Sequence, residues 1–111
     1  MADRPRSPSV IVVLVTCPGQ AVGVRIGRAV VEDRLAACVN VLPGLTSIFS
    51  WEGKVRRSGE ALLVIKTRRS KFAALSRRVR ELHPYSVPEI IALPVVAGSG
   101  PYLSWIRNST P

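Results

Sequence analysis

The stretch CVNVLPGLTSIFSWEGKVRRSGEALLVIKT, residues 38–67, decides how this chain folds. Its first part, Cys38 to Ser50, is rich in Val, Leu, Ile, Phe and Thr, side chains that suit a pleated, half-buried strand. Pro43-Gly44 interrupts that run, and the pair fits a bulge or bend better than the centre of an unbroken strand. Trp51-Glu52-Gly53-Lys54 makes a tight turn with Gly as the permissive residue, and Glu60 to Thr67 is a second β-rich run. Together they predict a long, bent hairpin.

Upstream, Val10 to Val15 is an unbroken run of β-branched residues and Leu, predicting a strand buried on both faces. Pro18 and Gly19 end it. Val22, Ile26, Ala29 and Val30 then recur at helical spacing while Arg25, Arg28 and Glu32 face elsewhere, predicting an amphipathic helix that ends near Leu35. Gly23 and Gly27 inside it each cost about 0.8–1 kcal/mol relative to Ala, and close approach of the helix to a sheet would compensate them. Residues 1–9 carry two Pro, two Ser and two Arg without periodicity, predicting a disordered tail before a folded domain at 10–111.

Downstream, Ser70 is a candidate N-cap, and Phe72, Leu75, Val79 and Leu82 form the apolar stripe of a second, strongly basic helix. His83-Pro84 ends it, because the residue before Pro avoids helical geometry. Ile90 to Val96 is the last apolar run, and Pro94 makes it an edge or bulged strand. Pro101 suits a first helical turn, with Tyr102, Leu103 and Ile106 as a short apolar face. The order β-α-β-β-α-β-α echoes the split βαβ pattern, so the expected fold is α+β, a ferredoxin-like α/β sandwich with an antiparallel sheet.

The 111 residues fit one domain, and 47% hydrophobic with 21% charged residues excludes a disordered or collagenous chain. Sixteen Lys and Arg against seven acids give a net charge of +9, a field that attracts anions in general. Thirteen of the sixteen are Arg, scattered from Arg4 to Arg107 rather than gathered in a tail. No apolar run approaches the roughly 18 residues of a membrane span, so a cytoplasmic protein is expected. No Walker-type loop, no Gly-x-Ser-x-Gly elbow and no paired catalytic carboxylates are visible, and enzymatic chemistry is not expected.

Topology suggests a site. With the first strand running up, Cys17 closes it at the top, His83 closes the second helix at the top and Glu89 opens the last strand there. Cys38 starts the second strand at the bottom, a helix of about 15 residues or about 22 Å away, which excludes a Cys17–Cys38 disulfide. A free thiol, the only imidazole and a carboxylate suit Cu(I), Cu(II) or Zn. Taken singly, His83 reads as a helix C-cap, Cys17 as a small buried apolar residue and Glu89 as a surface carboxylate. Lys66, Arg68, Arg69 and Lys71, where the third strand meets the second helix, form a candidate anion pocket or a solvated end. Trp51 and Tyr85 read as packing or subunit-contact residues rather than a stacking platform, since aromatics are only 5% of the chain.

The ordered words Arg34-Leu35-Ala36-Ala37-Cys38-Val39-Asn40, Pro43-Gly44-Leu45-Thr46-Ser47-Ile48, Trp51-Glu52-Gly53-Lys54, Ile65-Lys66-Thr67, His83-Pro84-Tyr85, Val87-Pro88-Glu89 and Tyr102-Leu103-Ser104-Trp105 resemble the CutA divalent-cation tolerance family. The resemblance implies a ferredoxin-like homotrimer related in architecture to PII signalling proteins, with long bent hairpins pairing between subunits. Trp51 and Trp105 then belong to packing or subunit contacts. It also implies metal tolerance and copper binding, with zinc or another divalent cation as further candidates, through a strand-one Cys and the His of His-Pro-Tyr. Those roles map to Cys17 and His83. In some members the Cys stands two positions earlier, where this chain has Val15; the offset keeps the strand face and moves the thiol about 7 Å. Glu89 enters from topology alone.

A second reading is a PII-like signalling or scaffolding module that takes an anionic metabolite between subunits, near Lys66 or Arg68, or a protein partner. Nucleic-acid binding follows from charge alone and ranks last, because no recognition module accompanies the charge.

Overall fold

A computed structural model describes residues 9–111. The expected tail falls on residues 1–8, outside the described residues, and on Ser9, whose carbonyl accepts the Arg69 amide at 2.8 Å. The elements are β1 (Val10–Cys17), α1 (Gln20–Glu32), β2 (Cys38–Trp51), β3 (Lys54–Arg68), a 3₁₀ turn (Arg69–Lys71), α2 (Phe72–Leu82), β4 (Ile90–Pro94) and α3 (Gly100–Ser109). The four strands form one antiparallel sheet in the order β2-β3-β1-β4, which with its two packed helices is the ferredoxin-like arrangement.

The register assigns each residue to a face. Ile11, Val13, Val15 and Cys17 lie opposite Thr67, Ile65, Leu63 and Ala61, and α1 and α2 cover this face. Val12, Leu14 and Thr16 face the other way and are only half-buried. The expectation that β1 is buried on both faces is therefore corrected: helices cover one side of the sheet, and the alternate residues form an open side. Leu42, Ile91 and Leu93 on that side retain 46, 50 and 48% exposure.

The glycines of α1 do what their cost required. Gly23, Ile26, Gly27 and Val30 form the buried stripe, so the glycines face the sheet. A Cβ on Gly23 would lie 3.0 Å from Leu63 Cδ2, 3.1 Å from Val41 Cγ1 and 3.2 Å from Cys17 Sγ. The helix stops at Glu32 rather than Leu35, because Arg34 takes φ 59° and the Leu35 and Ala36 amides fold back onto the Val30 carbonyl. Ser70 is likewise not an N-cap: it sits inside the 3₁₀ turn, and α2 starts at Phe72 without a side-chain cap. Ser99 does cap α3, accepting the Tyr102 amide at 3.3 Å.

The hairpin is longer than its apolar runs, since β3 begins at Lys54 directly after the turn. Glu52 at φ 51° and Gly53 at φ 75° give the two left-handed residues of a type I′ turn. The Leu42–Leu62 pair is followed by Leu45–Glu60, so three steps on β2 match two on β3. This one-residue bulge, with Gly44 at φ 78°, reverses which β2 residues share a face with β3. Before it Cys38, Asn40 and Leu42 face the open side; beyond it Ser47, Phe49 and Trp51 do. The outer hairpin stands clear of the helices and stretches the molecule to 54 × 30 × 23 Å.

Helix propensity alone would make Gly23→Ala about 1 kcal/mol more stable. The close contacts reverse that expectation to a loss of about 1–2 kcal/mol. Gly19→Ala, with nothing within 4 Å of the added methyl, is the control. Urea unfolding midpoints check both, and a stabilised Gly23→Ala would refute the close-approach account.

Candidate metal centre and the adjoining cleft

His83 ends α2 in extended geometry, φ −81° and ψ 133°, as Pro84 requires. Its imidazole folds inwards to 7% exposure against the end of β1. Nε2 lies 2.7 Å from the Thr16 carbonyl and Nδ1 accepts the Tyr85 amide at 3.1 Å. These contacts select one tautomer: the proton sits on Nε2, and Nδ1 carries the lone pair. A backbone carbonyl holding one ring N–H is the arrangement that orients metal-ligating histidines.

Cys17 is fully buried on the helix-covered face and directs its thiol at the Gly19 and Ala61 carbonyls, 3.5 and 3.8 Å away. Burial pushes the thiol pKa up; the Gly19 contact offsets part of the rise and the Glu60 carboxylate adds a smaller increase. The thiolate a metal needs is thus disfavoured. Glu89 is exposed and lines a cleft on the open side of the sheet. Topology does bring the three to one end, but on different sides of it. No three His, Cys, Asp or Glu side chains gather as a cation site among the described residues. Of the three candidates, His83 has an oriented lone pair at Nδ1, and in this structure the Tyr85 amide occupies it.

The candidate anion residues are also spread. Lys66 reaches the Asn40 side chain and lies 3.9 Å from Cys38 Sγ, while Arg68 donates to the Thr110 carbonyl at 3.4 Å. Arg69 lines a separate depression between the start of α2 and β4. Trp51, Tyr85 and Trp105 are all partly exposed, Trp105 against the Tyr102 ring with centroids 5.5 Å apart. Cys17 and Cys38 are free thiols.

The cleft, of about 630 Å³, lies between the outer hairpin and the 85–89 loop. Its lining includes residues absent from the sequence-based candidates: Thr16, Phe49, Arg56, Ser58 and Glu60. Glu60 is 8% exposed and meets the Tyr85 hydroxyl at 3.4 Å. Burial first, then the Glu60 charge, raises the Tyr85 phenol pKa. The signal was present in the sequence as a carboxylate opening an otherwise apolar strand run, Glu60 to Ile65. It acquires meaning only once the register puts it beside Thr16 and the bulge brings Phe49 across.

Comparison with known proteins is consistent along the chain. The family described as CutA1 divalent ion tolerance protein matches residues 11–109. The Divalent-cation tolerance protein CutA of Thermus thermophilus is 52% identical over 99 residues, 89% of this chain and 96% of that protein. Human Protein CutA is 53% identical over 102 residues, 92% of this chain but 57% of the human protein, so the chain spans little more than half of that relative. Among solved structures, the Thermus thermophilus divalent cation tolerance protein superposes with a TM-score of 0.90 at 51% identity, covering 92% of this chain and 99% of that one.

The two thiols should differ in reactivity. At pH 8, iodoacetamide is expected to label half-buried Cys38 at least about tenfold faster than Cys17, read by mass spectrometry of the native protein. The raised Cys17 pKa also sets a sign: its contribution to stability is complete below the ordinary thiol range and declines as pH rises through the native value. Unfolding midpoints of wild type should therefore fall more steeply above pH 9 than those of Cys17→Ala.

Proposed function

The chain belongs to the CutA1 divalent ion tolerance protein family, and on that premise we propose that it serves divalent-cation tolerance as a non-enzymatic homotrimer that binds copper, with zinc or another divalent cation as the alternative cargo. The observation that carries the assembly is the open side of the sheet. One chain leaves Leu42, Ile91 and Leu93 about half exposed, and β2 and β4 are unpaired edges. Copies that bury this surface and pair these edges remove both liabilities. Trp51, Tyr85 and Trp105 are proposed as contacts between subunits, and free thiols fit a reducing compartment such as the cytoplasm.

For the cation, His83 is the anchor ligand through Nδ1, supported by its Nε2 contact with the Thr16 carbonyl. Cys17 and Glu89 are the further donors of this reading. Recruiting them requires the thiol to lose the proton that burial holds on it and the 83–89 loop to release the Tyr85 amide. Imidazole and thiolate are borderline and soft ligands, which suit copper ahead of magnesium or calcium.

Chelator competition with Cu(I), Cu(II) and Zn on the purified assembly tests the reading, with His83→Ala and Cys17→Ala alongside. His83→Ala is expected to weaken binding at least about tenfold while sedimenting like wild type. Titration of both variants like wild type would remove these residues from metal handling.

A further inference from the structure

The helical layer holds more cations than it can pair. From Gln20 to Arg34 and from Arg69 to Leu82 the chain carries eight Lys and Arg against three acids. All three acids are already engaged, Glu32 with Arg28, and Asp33 and Glu81 with Arg78. Arg25, Arg77 and Arg80 are exposed and have no anionic partner among the described residues. Scattered in sequence, these cations share one face in the fold. Helical spacing puts Arg25 and Arg28 opposite the buried Gly23-Ile26-Gly27-Val30 stripe of α1, and Arg77 and Arg80 opposite Leu75 and Val79 of α2. Arg25 also donates to the Leu82 carbonyl at 3.4 Å, which fixes how the two antiparallel helices are aligned. At about 1.5 Å per residue the four arginines then fall within about 8 Å of one another along the helix axes. Each helix sets two like charges three residues apart, a spacing at which they face each other and repel.

We propose that this outer helical face binds a nucleic-acid duplex through its phosphate backbone, without reading the bases. The helices cover the side of the sheet opposite the open one, so burial of the open side between copies leaves this face outward. None of the four arginines lines the cleft or the depression beside β4, so a small anion finds no enclosure here. A duplex instead presents about one negative charge per 1.7 Å of its axis, a density that engages neighbouring arginines together. Guanidinium forks match phosphate oxygens in pairs. The aromatic side chains lie elsewhere: Phe72 packs into the core, and Phe49, Trp51, Tyr85, Tyr102 and Trp105 belong to the outer hairpin, the 85–89 loop and α3. The face therefore offers neither a platform for the bases of a single strand nor an aromatic anchor for a membrane surface.

This surface goes beyond the metal reading and does not depend on it: none of its groups is Cys17, His83 or Glu89. Fluorescence anisotropy of a labelled DNA duplex of about 20 base pairs, titrated with the purified assembly across a series of salt concentrations, tests it. Binding is expected at low salt, equal for duplexes of different sequence, with log K falling against log salt at a slope of about −3.6 for four phosphate contacts. Arg77→Gln should reduce that slope by about one, and the double variant Arg77→Gln/Arg80→Gln should weaken low-salt binding at least about tenfold. Arg57→Gln removes the same charge from an exposed position on the outer hairpin and should leave the slope unchanged. No binding at low salt, a complex insensitive to salt, or equal losses from Arg57→Gln and Arg77→Gln would overturn the proposal. So would tighter binding of the single strand, of polyglutamate or of phosphatidylserine vesicles than of the duplex, which would make unpaired bases, an acidic chain or a membrane the occupant.

Discussion

The antiparallel register between β1 and β3, Val10 opposite Arg68 through Cys17 opposite Ala61, is the constraint on which the rest depends. A slip of one residue would put the apolar sets of the two strands on opposite faces and turn Ile11, Val13 and Val15 of β1 out of the core. At about 1.5–3 kcal/mol for each such side chain, the slipped pairing loses an amount comparable to the whole stability margin of a domain of this size. The same register sets Thr16 and Cys17 on opposite sides of the sheet. It therefore decides that the thiol is a core residue and that the hydroxyl belongs to the cleft.

Much of the fold was legible because its signals are local. The β-branched run of β1, the Leu75–Val79 stripe of α2, the Pro that ends it and the Pro101 start of α3 each act within a few residues. The departures arise where a longer-range contact wins. The Arg34 turn shortens α1 because its amides have better acceptors at Val30, and the 3₁₀ turn absorbs Ser70 before α2 begins. β1 looks buried on both faces in sequence because an apolar run does not say whether its second face meets helices or another copy of the chain.

The site was less legible for a related reason. Topology brought Cys17, His83 and Glu89 to one end, but end-to-end reasoning has no sides, and side is what separates the thiol from the carboxylate. His83 was found because it is the only histidine, whereas its tautomer needed the Thr16 and Tyr85 contacts. In sequence, Glu60 is one of seven acids in a basic chain. Its importance lies in burial, a quantity set by neighbours from β1, β2 and the 85–89 loop rather than by its own surroundings in sequence.

The bulge at Pro43-Gly44 has a consequence for how such a hairpin can vary in length. It acts as a parity switch, and everything beyond it is written in the reversed phase. One residue added to β2 between the bulge and the turn would move Phe49 and Trp51 to the other side, whereas a matched pair on both strands would lengthen the arm and leave its two surfaces unaltered. Length changes in this arm are thus counted in twos, and Gly44 is the point from which the counting starts.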